Sequence, residues 1–154
     1  MRASGDVETV ERVIAAPAEE IFAVLSDPSR HKEIDGSGTV RGPTQSSQVL
    51  TLGSRFGMEM RMGVPYSMVN EVVEYEPDRR IAWQTRPALA PLTLFIGGRI
   101  WRYELEPVAG GTLVRESWDI SHERVKAVVR PLRRQTRAAM ASSLQRLDTL
   151  LARR

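Results

Sequence analysis

The residues from Trp101 to Ile120, WRYELEPVAGGTLVRESWDI, decide the fold. Apolar and polar side chains alternate on both sides of a break at Ala109-Gly110-Gly111. This period of two is typical of strands that bury one face, and a short glycine-rich break joins neighbouring antiparallel strands. The stretch therefore predicts an antiparallel strand pair packed on a core. The predicted inner face carries Trp101, Tyr103, Leu105, Val114, Trp118 and Ile120.

The same period continues through most of the chain. Most breaks between the alternating segments are short, so the pattern predicts an antiparallel meander. In the segment 66–76 both faces are partly apolar, with Met68 and Val72 on one and Val69 and Val73 on the other. Its phase stays open, because a β-bulge would exchange the two faces. Strands are predicted at residues 7–15, 39–41, 49–52, 55–62, 66–76, 79–86, 99–107 and 112–121.

Helical signals flank the predicted sheet. Pro17 and the two glutamates after it suit the first turn of a short helix, and a second short helix is predicted at 29–34. From Val125 to Leu151 apolar residues recur every three or four positions, which predicts a long helix that Pro131 kinks or starts. The order predicts an α+β fold, in which a curved antiparallel sheet of six or seven strands wraps around a long C-terminal helix.

Composition excludes several kinds of chemistry. The 154 residues include no cysteine and only two histidines, so thiolate chemistry and a metal site are not expected. No nucleophile elbow, phosphate-binding loop or dinucleotide fingerprint is present, and no cofactor is predicted. No apolar run reaches the ~20 residues that a membrane span needs, and the first residues lack a signal-peptide pattern. We therefore expect a cytoplasmic protein.

The net charge of +3 is unevenly distributed. Residues 124–154 hold nine arginines and lysines and one acid, whereas residues 1–123 hold thirteen basic residues and eighteen acids. A basic helix can bind nucleic acid or an anionic membrane. Because no nucleic-acid motif accompanies the charge, a solvated outer face is the preferred interpretation. We expect no nucleic-acid partner and at most transient membrane contact, and the oligomeric state is left open. The charges concerned are Arg124, Lys126, Arg130, Arg133, Arg134, Arg137 and Arg146.

Three stretches carry a resemblance to a known superfamily. They are VERVIAAPAEEIFAVLSDPSRHKEIDGSG near the start, VVEYEPDRRIAWQ in the middle and WRYELEPVAGGTLVRESWD near the end. Together with the long C-terminal helix, the chain resembles the START-related (SRPBCC) helix-grip superfamily, in its polyketide cyclase/dehydrase-like, lipid transport branch. The resemblance implies one START-like ligand-binding domain over residues 1–154, with a cavity between sheet and helix. The family has no universal catalytic motif.

Within such a fold, the inward side chains become candidates for ligand binding. The stretch Phe56–Gly63, FGMEMRMG, places methionine at every second position, and methionine adapts to a flexible guest better than valine or isoleucine does. The alternative is that these side chains only fill the core under the helix. The predicted ligand-binding residues are Met58, Met60, Met62, Tyr66, Met68, Trp83, Trp101, Tyr103, Glu116, Trp118 and Met140.

Four residues are candidate proton carriers. Glu116 lies between Val114 and Trp118 on the inner face, where a carboxylate needs a partner or a raised pKa. It is either a polar group inside an apolar chamber or a solvated or arginine-paired residue at a strand end. His31 is predicted to be a surface residue of a short helix, and the alternative places it with Asp35 at the cavity mouth as an acid–base pair or a gate. Tyr66 is the fourth candidate.

Three hypotheses about function follow from these residues. The first is binding of a hydrophobic small molecule, of lipid, polyketide, quinone or isoprenoid type, between the sheet and the C-terminal helix. The second is a cyclase or dehydratase that uses acid–base residues of the same cavity, without metal or nucleotide. The third is a protein-interaction module with a vestigial cavity. The sequence leaves open whether any reaction occurs.

Overall fold

A computed structural model describes residues 6–43, 49–62, 64–88 and 97–152, with the side chains of residues 62 and 64 left aside. In these residues seven strands and four helices follow the predicted order. The strands are β1 Val7–Ile14, β2 Val40–Pro43, β3 Arg55–Met62, β4 Val64–Glu76, β5 Arg80–Pro87, β6 Arg99–Val108 and β7 Gly111–Asp119. The helices are α1 Ala18–Leu25, α2 His31–Ile34, α3 Lys126–Val129 and α4 Arg133–Ala152, with 3-10 turns at Pro28–Arg30 and Arg130–Leu132.

The strands form one curled antiparallel sheet in the order β1-β7-β6-β5-β4-β3-β2. Apart from β1, neighbours in the sheet are neighbours in sequence, as a meander requires. Residues 126–152 form a helical segment over the concave face, interrupted at the 3-10 turn that contains Pro131. The predicted α+β helix-grip fold and the interruption at Pro131 are confirmed. No helix in the described part of the chain is long and apolar enough to cross a membrane.

The phase of β4 is decided by a break in its register. Pairing with β5 shifts between Val72 and Glu74, as it does at a β-bulge. Before the shift Met68 and Val72 are buried and Val69 is exposed; after it Tyr75 packs against the core. The two half-apolar faces therefore belong to two halves of the strand.

The strand predicted at 49–52 is wrong. Leu50 is fully buried, but Val49 and Leu52 are 74% and 64% exposed. The Leu50 amide donates a 2.8 Å hydrogen bond to the Ser26 carbonyl, and a turn follows in which the Thr51 amide donates to Ser54 Oγ. Over only four residues, a single buried leucine between exposed neighbours resembles the alternation of a strand.

Helix α4 is held in place by an ion pair to the sheet and by contacts with one loop. Arg12 on β1 pairs with Asp148 at 2.8 Å. Gly36, in the loop between α2 and β2, lies so close to α4 that a Cβ there would be 2.2 Å from the Ala139 carbonyl oxygen. The Gly36 amide donates to Ser143 Oγ at 2.9 Å, so this loop fixes how far α4 stands from the sheet.

Candidate interior site between the sheet and the C-terminal helix

Strand register places the predicted inner residues in rows across the sheet. Trp118, Trp101 and Trp83 face one another across β7, β6 and β5. Glu116 pairs with Tyr103 in the adjacent row. Trp118, Trp83 and Tyr103 are buried, whereas Trp101 is half-buried. The sheet thus presents an aromatic wall with one carboxyl group in it.

Glu116 lies inside the protein. It is 3% exposed, so its alternative placement in water at a strand end is wrong. Burial raises the pKa of the Glu116 carboxyl to about 8; a hydrogen bond with the Tyr103 hydroxyl lowers it, and the Asp35 charge raises it further. Among the described residues Oε1 of Glu116 has no hydrogen-bond partner. At neutral pH this carboxyl is therefore largely protonated.

Trp118 also carries a buried polar atom. It is 2% exposed, and within the described part of the chain its indole Nε1 has no hydrogen-bond partner. It belongs to a small apolar cluster with Ile120, Val129 and Met140, separate from the main core. Val10 and Trp101 contact both clusters. Since Val114 belongs to the main core, Glu116 lies at the level where the two clusters meet.

Asp35 lies close enough to two of the other proton-carrier candidates to act on them. Burial raises the pKa values of Tyr66, Glu116 and the neighbouring Tyr103, and the Asp35 charge adds to the rise in each case. Asp35 itself is engaged: its carboxylate accepts from the Ser37 amide and hydroxyl and from the Val40 amide at 2.9 Å. It organises the loop into β2, which is the simplest account of its presence.

His31 is not a surface residue, and that prediction is wrong. It is 8% exposed, stacks on Trp83 with ring centroids 5.0 Å apart and contacts Phe56 edge-on. Its Nε2 lies 2.8 Å from the Leu25 carbonyl oxygen, so this nitrogen carries the proton. Burial lowers the pKa of the imidazole. The hydrogen bonds of His31 and Asp35 go to other groups, so the two do not form the acid–base pair considered from the sequence.

The predicted methionines form a cross-strand patch. Met58 pairs with Met68, and Met60 pairs with Tyr66, across β3 and β4. Met58 and Met68 are buried, whereas Met60 and Tyr66 are half-buried and line an open groove of about 630 Å³. Met140 is buried beside Trp118. Met62 ends β3, but its side chain lies outside the described part of the structure.

A buried hydrogen-bonded pair and a buried carboxylate were not predicted from the sequence. Thr85 Oγ1 donates to Asn70 Oδ1 at 2.6 Å on the inner face of β5 and β4. Glu123 accepts hydrogen bonds from the Gly97 amide and from the Arg99 amide and Nε, all within 3.0 Å. Asn70 could be found once the phase of β4 was known, whereas nothing local marks Glu123.

The basic side chains of the C-terminal segment lie mostly at the surface, as expected, but several of them form ion pairs. Asp6 pairs with Lys126 and Arg130, and Glu8 pairs with Arg133 and Arg137. Four of the seven basic residues named from the sequence therefore bind the start of the chain. These contacts lower the pKa values of both acids. The excess charge serves in part to close β1 against the C-terminal segment.

The chain matches a family model over residues 7–152, and that family is described as polyketide cyclase / dehydrase and lipid transport. The uncharacterized protein Rv0088 of Mycobacterium tuberculosis is 39% identical over 108 residues, which are 69% of this chain and 44% of that protein. The chain thus spans less than half the length of the curated relatives it matches.

Solved structures share the fold at low identity. Protein CV1439 from Chromobacterium violaceum is 18% identical, with a TM-score of 0.72 over 96% of this chain and 97% of that one. DynU16, from the dynemicin biosynthetic locus, is 18% identical, with a TM-score of 0.68 over 96% of this chain and 47% of that one. Both likenesses concern the fold alone. Since the family model spans nearly the whole chain and agrees with the resemblance seen in the sequence, the chain belongs to the polyketide cyclase/dehydrase and lipid transport family.

Proposed function

We propose that this domain binds a hydrophobic small molecule between the sheet and α4. The family fold supports a hydrophobic ligand-binding or polyketide-related role. The observation that carries the proposal is the wall made by Met58, Met68 and Met60 with Tyr66. Methionine has three rotatable bonds and a polarizable sulfur, so such a wall reshapes around a guest more readily than branched side chains do.

The groove at Met60 and Tyr66 suits the entrance. Its volume of about 630 Å³ falls within the range of small-molecule sites, roughly 300–1,000 Å³. Behind it the buried pair Met58 and Met68 leads toward Trp83 and the core. The lining of the groove also includes charged side chains, so a lipid, polyketide, quinone or isoprenoid would pass them before it meets the apolar and aromatic surface behind.

Native mass spectrometry of the protein purified gently from its host tests this proposal. We expect an additional mass, released on denaturation, or uptake of one from added lipid and polyketide extracts. Met68→Trp should abolish uptake because it fills the wall from the inner face of β4. Val69→Trp, one residue away on the outer face, is the matched control and should retain uptake. A bare protein that takes up nothing from either extract would contradict the proposal.

A second candidate is acid–base catalysis on the bound molecule. The observation that favours it is a buried carboxyl with a pKa of about 8 beside the Tyr103 hydroxyl, since a group that titrates near neutral pH can both give and take a proton. With a substrate found by the extract experiment, Glu116→Gln should abolish turnover and leave binding nearly intact. Unchanged turnover would remove Glu116 from catalysis.

A further inference from the structure

The inner face of β7 carries two hydrogen-bonding atoms that are buried without a partner among the described residues, Glu116 Oε1 and Trp118 Nε1. Buried polar groups in native proteins are nearly always hydrogen-bonded, so each exception needs an explanation. Two such atoms two residues apart on one face indicate a common cause.

These atoms share one level of the interior. Alternate residues of a strand project from the same face and lie about 6.6 Å apart along it. The two apolar clusters meet at this level, with Val10 and Trp101 in contact with both and Met140 of α4 above Trp118. Tyr103 lies directly across from Glu116 on the neighbouring strand.

The chemistry of the two atoms restricts what can satisfy them. An indole N–H only donates, so the group that meets Trp118 must accept. Among the described residues, burial, Tyr103 and Asp35 act on the pKa of Glu116, and no arginine or lysine does. A ligand carboxylate or phosphate would therefore be buried there without a counter-ion, which is costly. A cation would leave the indole N–H unsatisfied.

We propose that the ligand presents an uncharged oxygen, a carbonyl or a hydroxyl, to Glu116 and Trp118. This inference rests on the proposed function and narrows its ligand class to oxygen-bearing apolar molecules. A carbonyl accepts from the indole and from the protonated carboxyl, whereas a hydroxyl accepts from the indole and donates to the carboxyl.

Four probes of one shape test the inference: naphthalene, 2-naphthol, 2-acetonaphthone and 2-naphthoate, titrated against the full chain by calorimetry at pH 7. We expect 2-naphthol or 2-acetonaphthone to bind about tenfold more tightly than naphthalene, and 2-naphthoate to bind most weakly. Trp118→Phe and Glu116→Met should each remove at least fivefold of that preference and leave naphthalene within about twofold. Trp101→Phe removes a neighbouring indole from the same row and should keep the preference.

The outcomes separate the two proposals. Equal affinities for naphthalene and its oxygenated relatives, or a preference that survives both substitutions, would overturn the inference and leave hydrophobic binding in place. Tightest binding of 2-naphthoate would also overturn it, because it would demand a counter-ion at the site. Failure of all four probes to bind would count against the proposed function itself. If Trp118→Phe does not fold, Glu116→Met alone decides.

Discussion

Two buried polar regions inside the protein differ in one respect. In the partnered region, which consists of His31, Asn70 and Thr85, each side chain has a hydrogen-bond partner. In the unpartnered region, which consists of Glu116 and Trp118, each side chain has one atom without a partner among the described residues. Because both regions are buried, they differ only in their partners: the first holds the fold, and the second is the one that we propose meets the ligand.

The partnered region forms part of the main core. His31 reaches the Leu25 carbonyl and stacks on Trp83, and Thr85 bonds to Asn70 across the strands. Satisfied polar groups of this kind specify how neighbouring elements pack. The unpartnered region lies where the main core meets the small cluster around Trp118. Apolar side chains at these two positions would leave no buried polar atom without a hydrogen bond. Removing the polar atoms should therefore have opposite consequences in the two regions.

The largest expected effect is a pH dependence due to Glu116. The pKa of Glu116 in the folded state is raised from 4.5 to about 8. Below pH 4.5 this group therefore does not destabilise the folded state, and stability is lost as the pH rises through 8. Between pH 5 and 9 this amounts to at most about 4 kcal/mol. Glu116→Gln cannot ionise, so the free energy of unfolding of wild type minus variant should fall over that range. Urea denaturation at pH 5, 7 and 9 measures it.

The difference between the two proteins isolates Glu116. Burial lowers the pKa of His31 from 6.5, so its contribution is lost as pH falls below 6.5, but this happens equally in both proteins. Glu106→Gln, at an exposed position of β6, is the control and should show no such difference. A flat difference from pH 5 to 9 would mean that the Glu116 carboxylate is solvated when it ionises.

The next largest effect is the loss of His31. His31→Ala removes the ring from Trp83 and Phe56 and leaves the Leu25 carbonyl unsatisfied, which should cost about 3 kcal/mol. Denaturant unfolding at pH 8 measures this cost with the imidazole neutral. His31→Phe keeps a ring but loses the hydrogen bond and should recover about half. If His31→Ala costs less than 1 kcal/mol, His31 is not part of the core, and the partnered region loses its main member.

The sequence predicted the architecture because alternation and helical periodicity extend over long stretches. The seven strands and the long helix follow directly from these patterns. Alternation along β7 also predicted that Glu116 faces inward, between Val114 and Trp118. The error at 49–52 arose where four residues were too few to distinguish a strand from one buried anchor. Periodicity also cannot locate a bulge, so the phase of β4 depended on its pairing with β5.

His31 shows why the interior was harder to predict than the fold. It stands on a helix of four residues beside Lys32 and Glu33, where no face is defined by sequence. Its burial depends on Phe56 and Trp83, which are distant in the chain. Glu123 is similar, because its partners belong to the entrance of β6. Unsatisfied atoms such as Trp118 Nε1 are visible only when all neighbours are in place.

A smaller effect is expected at the close contact between the loop after α2 and helix α4. In Gly36→Ala the new Cβ would overlap the Ala139 carbonyl and the Ser143 amide, so the loop and α4 must separate, at a cost of about 2 kcal/mol. Thermal unfolding measures it. Ser143→Ala, the matched control, removes only the hydrogen bond to Gly36 and should cost about 1 kcal/mol or less. Equal costs would show that the close approach exerts no constraint.

The smallest effect gives the most direct test of the comparison. Thr85→Val keeps the shape but leaves Asn70 Oδ1 without its donor, which should cost about 1.5 kcal/mol in urea unfolding. Adding Asn70→Leu removes both partners and should restore part of that loss, since an absent pair costs less than a broken one. If Thr85→Val costs nothing, this interior tolerates an unpartnered acceptor anywhere. Glu116 Oε1 would then carry no information about a ligand, whereas a clear cost would support the proposal that a ligand atom bonds to it.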